Sequence, residues 1–261
     1  MGAAGIHPTA VVSAAVAVGA HVTIGPFTVV EDDVEIGDGC VIGPHVMIGS
    51  GTRLGKGCRI FKGAAVGLVP QDLKFGGEST TLQIGDHTTV REFCTLNRGT
   101  AASGRTVIGS NCLLMAYCHV AHDCVIGNHV VIANNLAMAG HVEVGDYVRI
   151  GGAVTIHQFV RIGTFAFIAA QARPFMDVVP YAMVGVEPTV ITGTNRIGLE
   201  RAGYNEERRF AIKRAYRILF RSNLSLESAL ERLQHDFPRN DDIALLIAFV
   251  RGSSRGLMRT G

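Results

Sequence analysis

The chain carries an aliphatic residue at almost every sixth position over its first two-thirds. Between Ile6 and Ile168, 25 of the 28 positions at this spacing are Ile, Val, Leu or Met, and the exceptions are Asp72, Glu78 and Ala102. An α-helix would give a period of 3.6 residues and a simple strand a period of two, so neither explains this pattern. A period of six predicts a solenoid, in which short strands meet at corners and each strand turns one aliphatic side chain inward.

Glycine follows the aliphatic residue in many of these repeats. The glycines are Gly25, Gly37, Gly43, Gly49, Gly55, Gly67, Gly85, Gly109, Gly127, Gly145, Gly151 and Gly163. Glycine suits a corner where the chain turns tightly or adopts a positive φ angle. The repeat resembles that of the left-handed parallel β-helix family, in which three hexapeptides make one 18-residue coil. The handedness is implied by that resemblance, because the period alone does not determine it.

All six cysteines lie four residues after an aliphatic repeat position. They are Cys40, Cys58, Cys94, Cys112, Cys118 and Cys124. This phase takes small residues, and cysteine behaves as a small buried hydrophobe. On 18-residue coils, Cys40 and Cys58 are one coil apart, as are Cys94 and Cys112. A thiolate metal site is the alternative, but the chain contains no CxxC pair. The pattern therefore favours structural cysteines.

Two polar, glycine-rich excursions interrupt the repeat, at residues 68–81 (LVPQDLKFGGESTT) and 97–105 (NRGTAASGR). Insertions in solenoids often carry the binding surface. The regular repeat ends near Ala170, and a helical pattern follows from about Gly198. We therefore predict a β-helical domain over residues 1–190 and a C-terminal α-helical domain over residues 191–261.

Side chains that cap helices mark the elements of the second domain. Asn205 and Ser225 precede the apolar patterns of two helices, and Asp241 or Asp242 precedes a third. Residues 196–261 carry 13 Lys or Arg against 8 Asp or Glu. Six basic residues lie along the first of these helices: Arg208, Arg209, Lys213, Arg214, Arg217 and Arg221. Such a run is either a solvated face or a surface that docks an acidic partner.

The composition excludes several classes of protein. A formal net charge of +2 and 18% charged residues do not fit a protein that binds nucleic acid through its charge. The N-terminal segment MGAAGIHPTAVV lacks the basic and apolar regions of a secretory signal. No apolar run approaches the roughly 20 residues that span a bilayer. We expect a cytoplasmic protein without an integral membrane segment, whose cysteines stay reduced.

Eight of the ten histidines fall into a scattered group and a concentrated group. His21, His45, His87 and His129 are spread along the repeat in one phase, where polar turn residues are expected, so we interpret them as surface residues. The concentrated group is His119, His122, His141 and His157. The last three follow repeat positions 120, 138 and 156, which are one regular coil apart, so they lie along one edge on successive coils. With strands ~5 Å apart, they form a strip about 10 Å long. A ladder of stacked polar surface residues is the alternative.

This strip predicts acid–base chemistry. An imidazole accepts a proton near neutral pH, as a general base must when it activates a hydroxyl group. Asp123 adjoins His122 and is a candidate to orient it, and Gly140 lies one coil further on, where its N–H can approach an oxyanion. A zinc site is the alternative, but the His-x4-His pair of β-helical carbonic anhydrases is missing, since His119 and His122 are separated by two residues. We therefore predict acyl transfer without a bound metal.

Longer motifs resemble one family within the hexapeptide superfamily. These are IHPTAVV, IGPFTVV, QDLKF, NRGT, HVAHDCVIGN, ANNLAMAGHVEVGD, GGAVTIHQFVRIG and LERAGY. They are similar to the UDP-N-acetylglucosamine O-acyltransferases that begin lipid A synthesis, over nearly the whole chain. The resemblance implies transfer of an (R)-3-hydroxyacyl group from acyl carrier protein to the 3-OH of UDP-N-acetylglucosamine. It also implies a homotrimer in a Gram-negative-type bacterium, with sites between subunits. No cofactor is implied beyond the donor's phosphopantetheine.

The resemblance also assigns roles to individual residues. His122 would be the general base, with Asp123 beside it and Gly140 as the oxyanion donor. Asp72, reaching in from another subunit, would hold the sugar. The other implied substrate-binding residues are Gln71, Lys74, His119, His141, His157, Gln158, Asn195 and Arg201. The basic helices would dock the acidic carrier protein.

Three departures from the family pattern stand out. Asn97 replaces a frequent histidine and Ile197 a frequent acidic residue, which affects the expected nucleotide contacts. Residues 169–176 (AAQARPFM) differ from a glycine-rich version. Ala170 matches the residue that limits acyl-chain length in the family, and its side chain predicts a shorter chain than glycine would allow.

Four alternative functions remain. They are an acetyl-CoA-dependent sugar acetyltransferase, an N-acyltransferase of the same pathway, a zinc hydratase and a purely structural β-helix.

Overall fold

Three flat parallel sheets form the walls of a triangular prism. The structure is a computed structural model that describes residues 5–260. Sheet I contains β1 (Gly5–Ile6), β4 (Thr23–Ile24), β7 (Val41–Ile42), β10 (Arg59–Ile60), β13 (Thr89–Val90), β16 (Leu113–Leu114), β19 (Val131–Ile132), β22 (Arg149–Ile150), β25 (Phe167–Ile168), β26 (Ala182–Val184) and β27 (Ile191–Thr194). Sheet II contains β2 (Val11–Val12), β5 (Val29–Val30), β8 (Met47–Ile48), β11 (Ala65–Leu68), β14 (Thr95–Asn97), β17 (His119–Val120), β20 (Ala137–Met138) and β23 (Thr155–Ile156). Sheet III contains β3 (Ala17–Val18), β6 (Glu35–Ile36), β9 (Thr52–Leu54), β12 (Thr81–Ile84), β15 (Arg105–Ile108), β18 (Val125–Ile126), β21 (Glu143–Val144) and β24 (Arg161–Ile162).

Each regular coil contributes one strand to each sheet, as the six-residue period predicts. Neighbouring strands of regular coils pair in parallel between residues one coil apart, as in the pairing of Val120 with Met138. Among the strands within residues 5–260, only β26 and β27 pair antiparallel. The aliphatic repeat residues are buried from Ile24 onward and form one continuous core. The predicted left-handed parallel β-helix is confirmed.

Both excursions leave the prism at the same edge, where each coil passes from sheet II to sheet III. We call this corner edge II–III. The first excursion makes Ile60 pair with Val90, whereas a regular coil would end at Glu78. The second makes Val90 pair with Leu114, whereas a regular coil would end at Ile108. The coil from Ile60 to Val90 is thus two hexapeptides longer than a regular coil, and the coil from Val90 to Leu114 is one hexapeptide longer. The sequence period therefore passes through both excursions without losing phase.

With one exception, the glycines that follow the aliphatic residues are required by space and not by positive φ. A Cβ added to Gly37 would lie 2.6 Å from the carbonyl carbon of Gly55 on the next coil. Of these twelve glycines only Gly67 has a positive φ. The left-handed conformation belongs to the residue two positions later, which is commonly not glycine, as at His45 with a φ of 54°. At these corners glycine is therefore needed for close approach to the next coil, and the alternative of a positive φ applies only to Gly67.

The cysteines are buried and free, as predicted. Each thiol donates a hydrogen bond to a backbone carbonyl, as from Cys124 Sγ to Ala139 O at 3.2 Å. Burial raises the pKa of Cys124 to about 12, so its reactive thiolate form is suppressed. The predicted stacking of Cys94 on Cys112 was wrong, because the second excursion lengthens that coil. The pairing of Thr95 with His119 places Cys118 beside Cys94 instead.

Four helices follow the β-helix: α1 (Arg196–Arg201), α2 (Glu206–Arg221), α3 (Leu226–Asp236) and α4 (Asp241–Arg251). Asn205 and Ser225 cap α2 and α3 as predicted. The predicted cap of α4 was wrong, because Asn240 accepts the hydrogen bond from Ile243 N. Asp242 is buried inside the first turn and accepts hydrogen bonds from Arg208 at 3.0 Å. No helix within residues 5–260 is long and apolar enough to cross a membrane.

Candidate active site

Edge II–III brings together the histidines that the period placed on successive coils. His122, His141 and His157 follow β17, β20 and β23, which are neighbours in sheet II. The rings of His122 and His141 lie 5.1 Å apart, edge to face, and the ring of His141 stacks on Phe159 at 4.5 Å. The scattered histidines occupy turns as expected; His129, for example, stacks on Tyr147 at 4.7 Å.

His122 and Asp123 form a hydrogen-bonded dyad. Nδ1 of His122 lies 2.7 Å from Oδ2 of Asp123, although the two residues are adjacent in sequence. Asp123 adopts a φ of 59°, the left-handed conformation of the turn. An ionised carboxylate can only accept, so the proton of the neutral imidazole is on Nδ1. Nε2 of His122 is then left with a lone pair, which is what a general base needs.

The second excursion holds the carboxylate of Asp123 in its ionised form. The carboxylate accepts hydrogen bonds from Thr100 N at 3.0 Å, from Thr100 Oγ1 at 2.6 Å and from the Ser103 hydroxyl group. Burial of Asp123 opposes ionisation, but the hydrogen bonds from Ser103, Thr100 and His122 outweigh it and lower its pKa to about 2. Thr100 and Ser103 were not among the predicted site residues. The only available indication was that these small hydroxyl residues stand in a predicted functional loop.

The first excursion places Asp72 over His122. Its Oδ2 lies 4.0 Å from His122 Nε2, and its Oδ1 accepts a hydrogen bond from Lys74 N at 3.0 Å. The expectation that Asp72 comes from another subunit was wrong, because the excursion folds over the edge of its own chain. Gln71 and Lys74 are exposed on the same turn. The chain therefore brings Asp72 to the dyad from the same subunit, and the roles of Gln71 and Lys74 stay predictions.

Gly140 packs flat against the imidazole of His122. A Cβ at this position would lie 2.6 Å from Cε1 and 2.9 Å from Nε2 of His122. Within residues 5–260, the N–H of Gly140 donates no backbone hydrogen bond. The absence of a side chain at Gly140 thus leaves room for the His122 imidazole, which no sequence pattern indicated, and its N–H is free for the predicted oxyanion contact.

His119 lies on β17, half-buried beside the dyad. Its Nδ1 is 2.7 Å from Thr95 Oγ1 on the neighbouring coil. Burial, together with the nearby His122, lowers the pKa of His119, so His119 is neutral at neutral pH. His157 and Gln158 are exposed one coil beyond His141.

Asn195 and Arg201 lie away from the dyad. They line a cavity of about 810 Å³ against sheet I, which is the wall opposite edge II–III. Asn195 is buried; its Oδ1 accepts a hydrogen bond from Gly198 N at 3.0 Å, and its Nδ2 donates to Phe165 O at 2.9 Å. Ala170 follows β25 at the corner between sheets I and II. One chain therefore does not unite all the predicted site residues.

The two single-residue departures from the family pattern have different surroundings. Asn97 is buried, and its Nδ2 donates to Val69 O at 2.7 Å, so it holds the start of the first excursion. Its effect on the nucleotide contacts stays a prediction, since the structure shows only that this side chain contacts the first excursion. Ile197 is exposed and lines the cavity on sheet I.

The geometry of the dyad does not fit a metal site. Ligand atoms of His122, Asp123 and His141 all lie within 4.8 Å of one another. However, the Asp123 carboxylate already accepts hydrogen bonds from Thr100, Ser103 and His122. These bonds occupy the lone pairs that a metal ion would need. The arrangement is that of an acid–base pair.

Known proteins resemble the chain over nearly all of its length. Residues 177–258 match the family described as UDP N-acetylglucosamine O-acyltransferase, domain 2. Residues 15–50, 33–67 and 105–140 match the bacterial transferase hexapeptide repeats. The acyl-(acyl-carrier-protein)–UDP-N-acetylglucosamine O-acyltransferase of Chlorobaculum parvum is 53% identical over 252 residues, which cover 96% of each chain. The protein of the same name from Myxococcus xanthus is 46% identical over 76% of this chain and 78% of its own.

Solved structures show the same similarity. The UDP-N-acetylglucosamine acyltransferase of Bacteroides fragilis is 40% identical, with a TM-score of 0.94 over 97% of this chain and 99% of its own. The Arabidopsis enzyme is 34% identical, with a TM-score of 0.86 over 98% and 100% of the two chains. Because identity and coverage are both high, the resemblance inferred from the motifs is confirmed. The chain belongs to the family of acyl-(acyl-carrier-protein)–UDP-N-acetylglucosamine O-acyltransferases.

Proposed function

We propose that this protein transfers an (R)-3-hydroxyacyl group from acyl carrier protein to the 3-OH of UDP-N-acetylglucosamine, the first step of lipid A synthesis. The observation that carries the proposal is the His122–Asp123 dyad, which leaves an imidazole lone pair at the edge where both excursions meet. Membership of the acyltransferase family supplies the donor and the acceptor.

The dyad performs the proton transfers. Nε2 of His122 takes the proton of the sugar hydroxyl group as its oxygen attacks the thioester carbonyl carbon. Asp123 stays ionised and stabilises the imidazolium that forms. The N–H of Gly140 donates to the carbonyl oxygen as it becomes an oxyanion. Collapse of the tetrahedral intermediate breaks the carbon–sulfur bond, and the His122 imidazolium gives its proton to the leaving phosphopantetheine thiolate, which becomes the free thiol.

The neighbouring polar residues bind the two substrates. Asp72 and His141 flank the base and hold the sugar, with Gln71 beside them and Lys74 close to the phosphates. His119, His157 and Gln158 line the continuation of the edge, where the phosphopantetheine arm lies. All of these groups come from one chain, and they need no cofactor besides the phosphopantetheine of the donor.

We also propose that the active enzyme is a homotrimer. Edge II–III carries the base, whereas Asn195 and Arg201 line the cavity on the opposite wall, so one chain cannot present both to one substrate. A neighbouring copy that sets its sheet I against edge II–III would complete the site. Mixing inactive His122→Ala with Arg201→Ala chains, unfolding them together and refolding should then restore activity. If the activity after joint refolding were no greater than the sum of the activities of the two variants refolded separately, the proposal of sites shared between subunits would be contradicted.

The basic face that docks the carrier protein is narrower than the sequence suggested. Arg208, Arg209 and Arg214 are engaged in ion pairs with acidic residues of the same domain. Lys213, Arg217 and Arg221 recur at every fourth position along α2, are exposed, and have no acidic partner within residues 5–260. We call these three residues the basic stripe and propose that it contacts the acidic acyl carrier protein.

Charge reversal of the basic stripe should weaken binding of the carrier protein. With Lys213, Arg217 and Arg221 all changed to Glu, KM for acyl-acyl carrier protein should rise about 10- to 100-fold, because attraction becomes repulsion. KM for the small donor acyl-pantetheine should not change. Reversal of Arg232, Arg239 and Arg251 on other parts of the domain is the matched control. If the two triple variants raised KM for acyl-acyl carrier protein equally, the basic stripe would not be the docking site.

The substrates are tested by incubating the protein with UDP-N-acetylglucosamine and 3-hydroxyacyl carrier proteins of increasing chain length, with products identified by mass spectrometry. We expect an O-acylated sugar nucleotide, and Ala170→Gly should shift the preferred donor to a longer chain. A wild-type preference for chains longer than those of the variant would refute the role of Ala170. Product formed only with acetyl-CoA, or only on an amino sugar, would assign the protein to one of the alternative transferases.

A further inference from the structure

The chain returns to edge II–III after its last helix. We call residues 253–260 the C-terminal strap. It is fastened by Asp177, which is fully buried on the prism. Ser253 Oγ donates to the Asp177 carboxylate at 2.7 Å, Met258 N donates to Asp177 O at 2.8 Å, and Asp177 N donates to Gly256 O at 3.0 Å. Polar bonds to both sides of Arg255 therefore define where the middle of the strap lies.

Arg255 reaches from the strap to the third histidine of the edge. Its Nε donates a hydrogen bond to Phe175 O at 2.8 Å, which orients the guanidinium. Its Nη2 lies 2.8 Å from Nδ1 of His157, although the two are 98 positions apart in sequence. The backbone of His157 is itself tied by its N–H to Pro174 O at 3.1 Å. Hydrogen bonds to neighbouring residues thus hold both the Arg255 guanidinium and the backbone of His157 in place.

This contact determines which ring nitrogen of His157 carries the proton. A guanidinium has only donors, so Nδ1 of His157 must accept and its proton must be on Nε2. The same Nδ1 lies 3.2 Å from Gln158 O, and a hydrogen bond there would require the proton on Nδ1. The two contacts exclude each other. With Arg255 present, the charged donor at the shorter distance prevails.

We propose that Arg255 is a positioning residue that holds His157 as an Nε2–H donor for an oxygen of the bound substrate. Asp123 imposes the opposite tautomer on His122, whose Nε2 accepts. The edge would therefore present a proton acceptor and a proton donor two coils apart, each selected by a fixed charged neighbour. That the oxygen belongs to an acyl-transfer substrate rests on the proposed function, whereas the tautomer does not.

The tautomer is measured directly by nitrogen-15 NMR of the histidine side chains in the full-length protein. At about pH 8.5, where imidazoles are neutral, wild-type His157 should show a protonated Nε2 and an unprotonated Nδ1. In Arg255→Met, which keeps the length but loses the donors, the proton should move to Nδ1 and bond to Gln158 O. His157→Gln assigns the signal, and Arg259→Met, an exposed arginine of the same strap, is the matched control. A proton on Nδ1 in the wild type, or an unchanged tautomer in Arg255→Met, would overturn the proposal.

Steady-state kinetics test the role of the donor. Loss of one well-placed hydrogen bond should raise KM about tenfold in Arg255→Met while kcat changes little. Arg255→Lys restores a cationic donor and should recover part of both the tautomer and the KM, which a merely structural loss would not do. A shifted tautomer with unchanged KM would overturn the substrate contact. If no donor supports acyl transfer, the proposed function fails while the NMR result still decides the tautomer.

Discussion

Replacing His122 by alanine should lower kcat for acyl transfer by about 10²- to 10⁴-fold, the usual contribution of a general base. The loss follows from the dyad, in which Asp123 occupies Nδ1 and leaves Nε2 as the acceptor for the hydroxyl proton. The rate is measured with saturating UDP-N-acetylglucosamine and acyl-acyl carrier protein. Because the side chain is partly exposed and lies outside the aliphatic core, the variant should keep its fold.

His129→Ala is the matched control for this experiment. That histidine stacks on Tyr147 at another corner of the prism, so its loss should leave kcat unchanged. If His122→Ala retained wild-type kcat, the reaction would use another base, and His141 and Asp72 would be the next residues to change because both lie beside the dyad.

Replacing Gly140 by alanine should lower kcat/KM by about 100-fold or more without removing any group that takes part in the reaction. The new Cβ would stand 2.6 Å from Cε1 of His122, well inside van der Waals contact, so the imidazole must move by roughly 1 Å. A displacement of that size is enough to spoil alignment with the attacking hydroxyl group. Alanine keeps the N–H, so the effect reports the space that the base requires and not the oxyanion contact.

Gly152→Ala controls for the general effect of filling a glycine on a coil. Its added Cβ would meet nothing closer than Asn134 O at 3.4 Å, which is ordinary contact. Thermal unfolding of both variants shows whether the prism remains intact. A Gly140→Ala enzyme with wild-type kcat/KM would mean that His122 works in a different position from the one seen here.

Edge II–III is where both excursions depart from the regular repeat. The regular corners are stacked turns whose geometry is imposed by the next coil, and they leave little freedom for new chemistry. Two hexapeptide lengths inserted in one coil and one in the next supply polar groups at this corner without disturbing the neighbouring coils. Thr100 and Asp72 from these insertions then contact Asp123 and His122, respectively. The fold thus separates a rigid frame from the loops that complete the site.

The sequence by itself determined the frame, because a repeat is a local rule. One inward residue in every six means that each hexapeptide forms one strand. Because three hexapeptides make one coil, residues three hexapeptides apart become neighbours on adjacent coils. This is why His122, His141 and His157 could be placed on one edge, and why the cysteines could be placed in the core. The caps Asn205 and Ser225 were also predictable, since capping joins residues only three positions apart.

Only the tertiary structure decided how distant segments meet at that edge. The contacts of Asp72 with His122, of Ser103 with Asp123 and of Arg255 with His157 join residues separated by an excursion or by a whole domain. No spacing rule predicts them, because an excursion has no repeat that converts position in sequence into position in space. The same reason explains the errors: the assumption of a regular coil misplaced Cys94, and Asp72 was assigned to another subunit. The local repeat thus determines the prism, whereas contacts between segments distant in sequence form the candidate site.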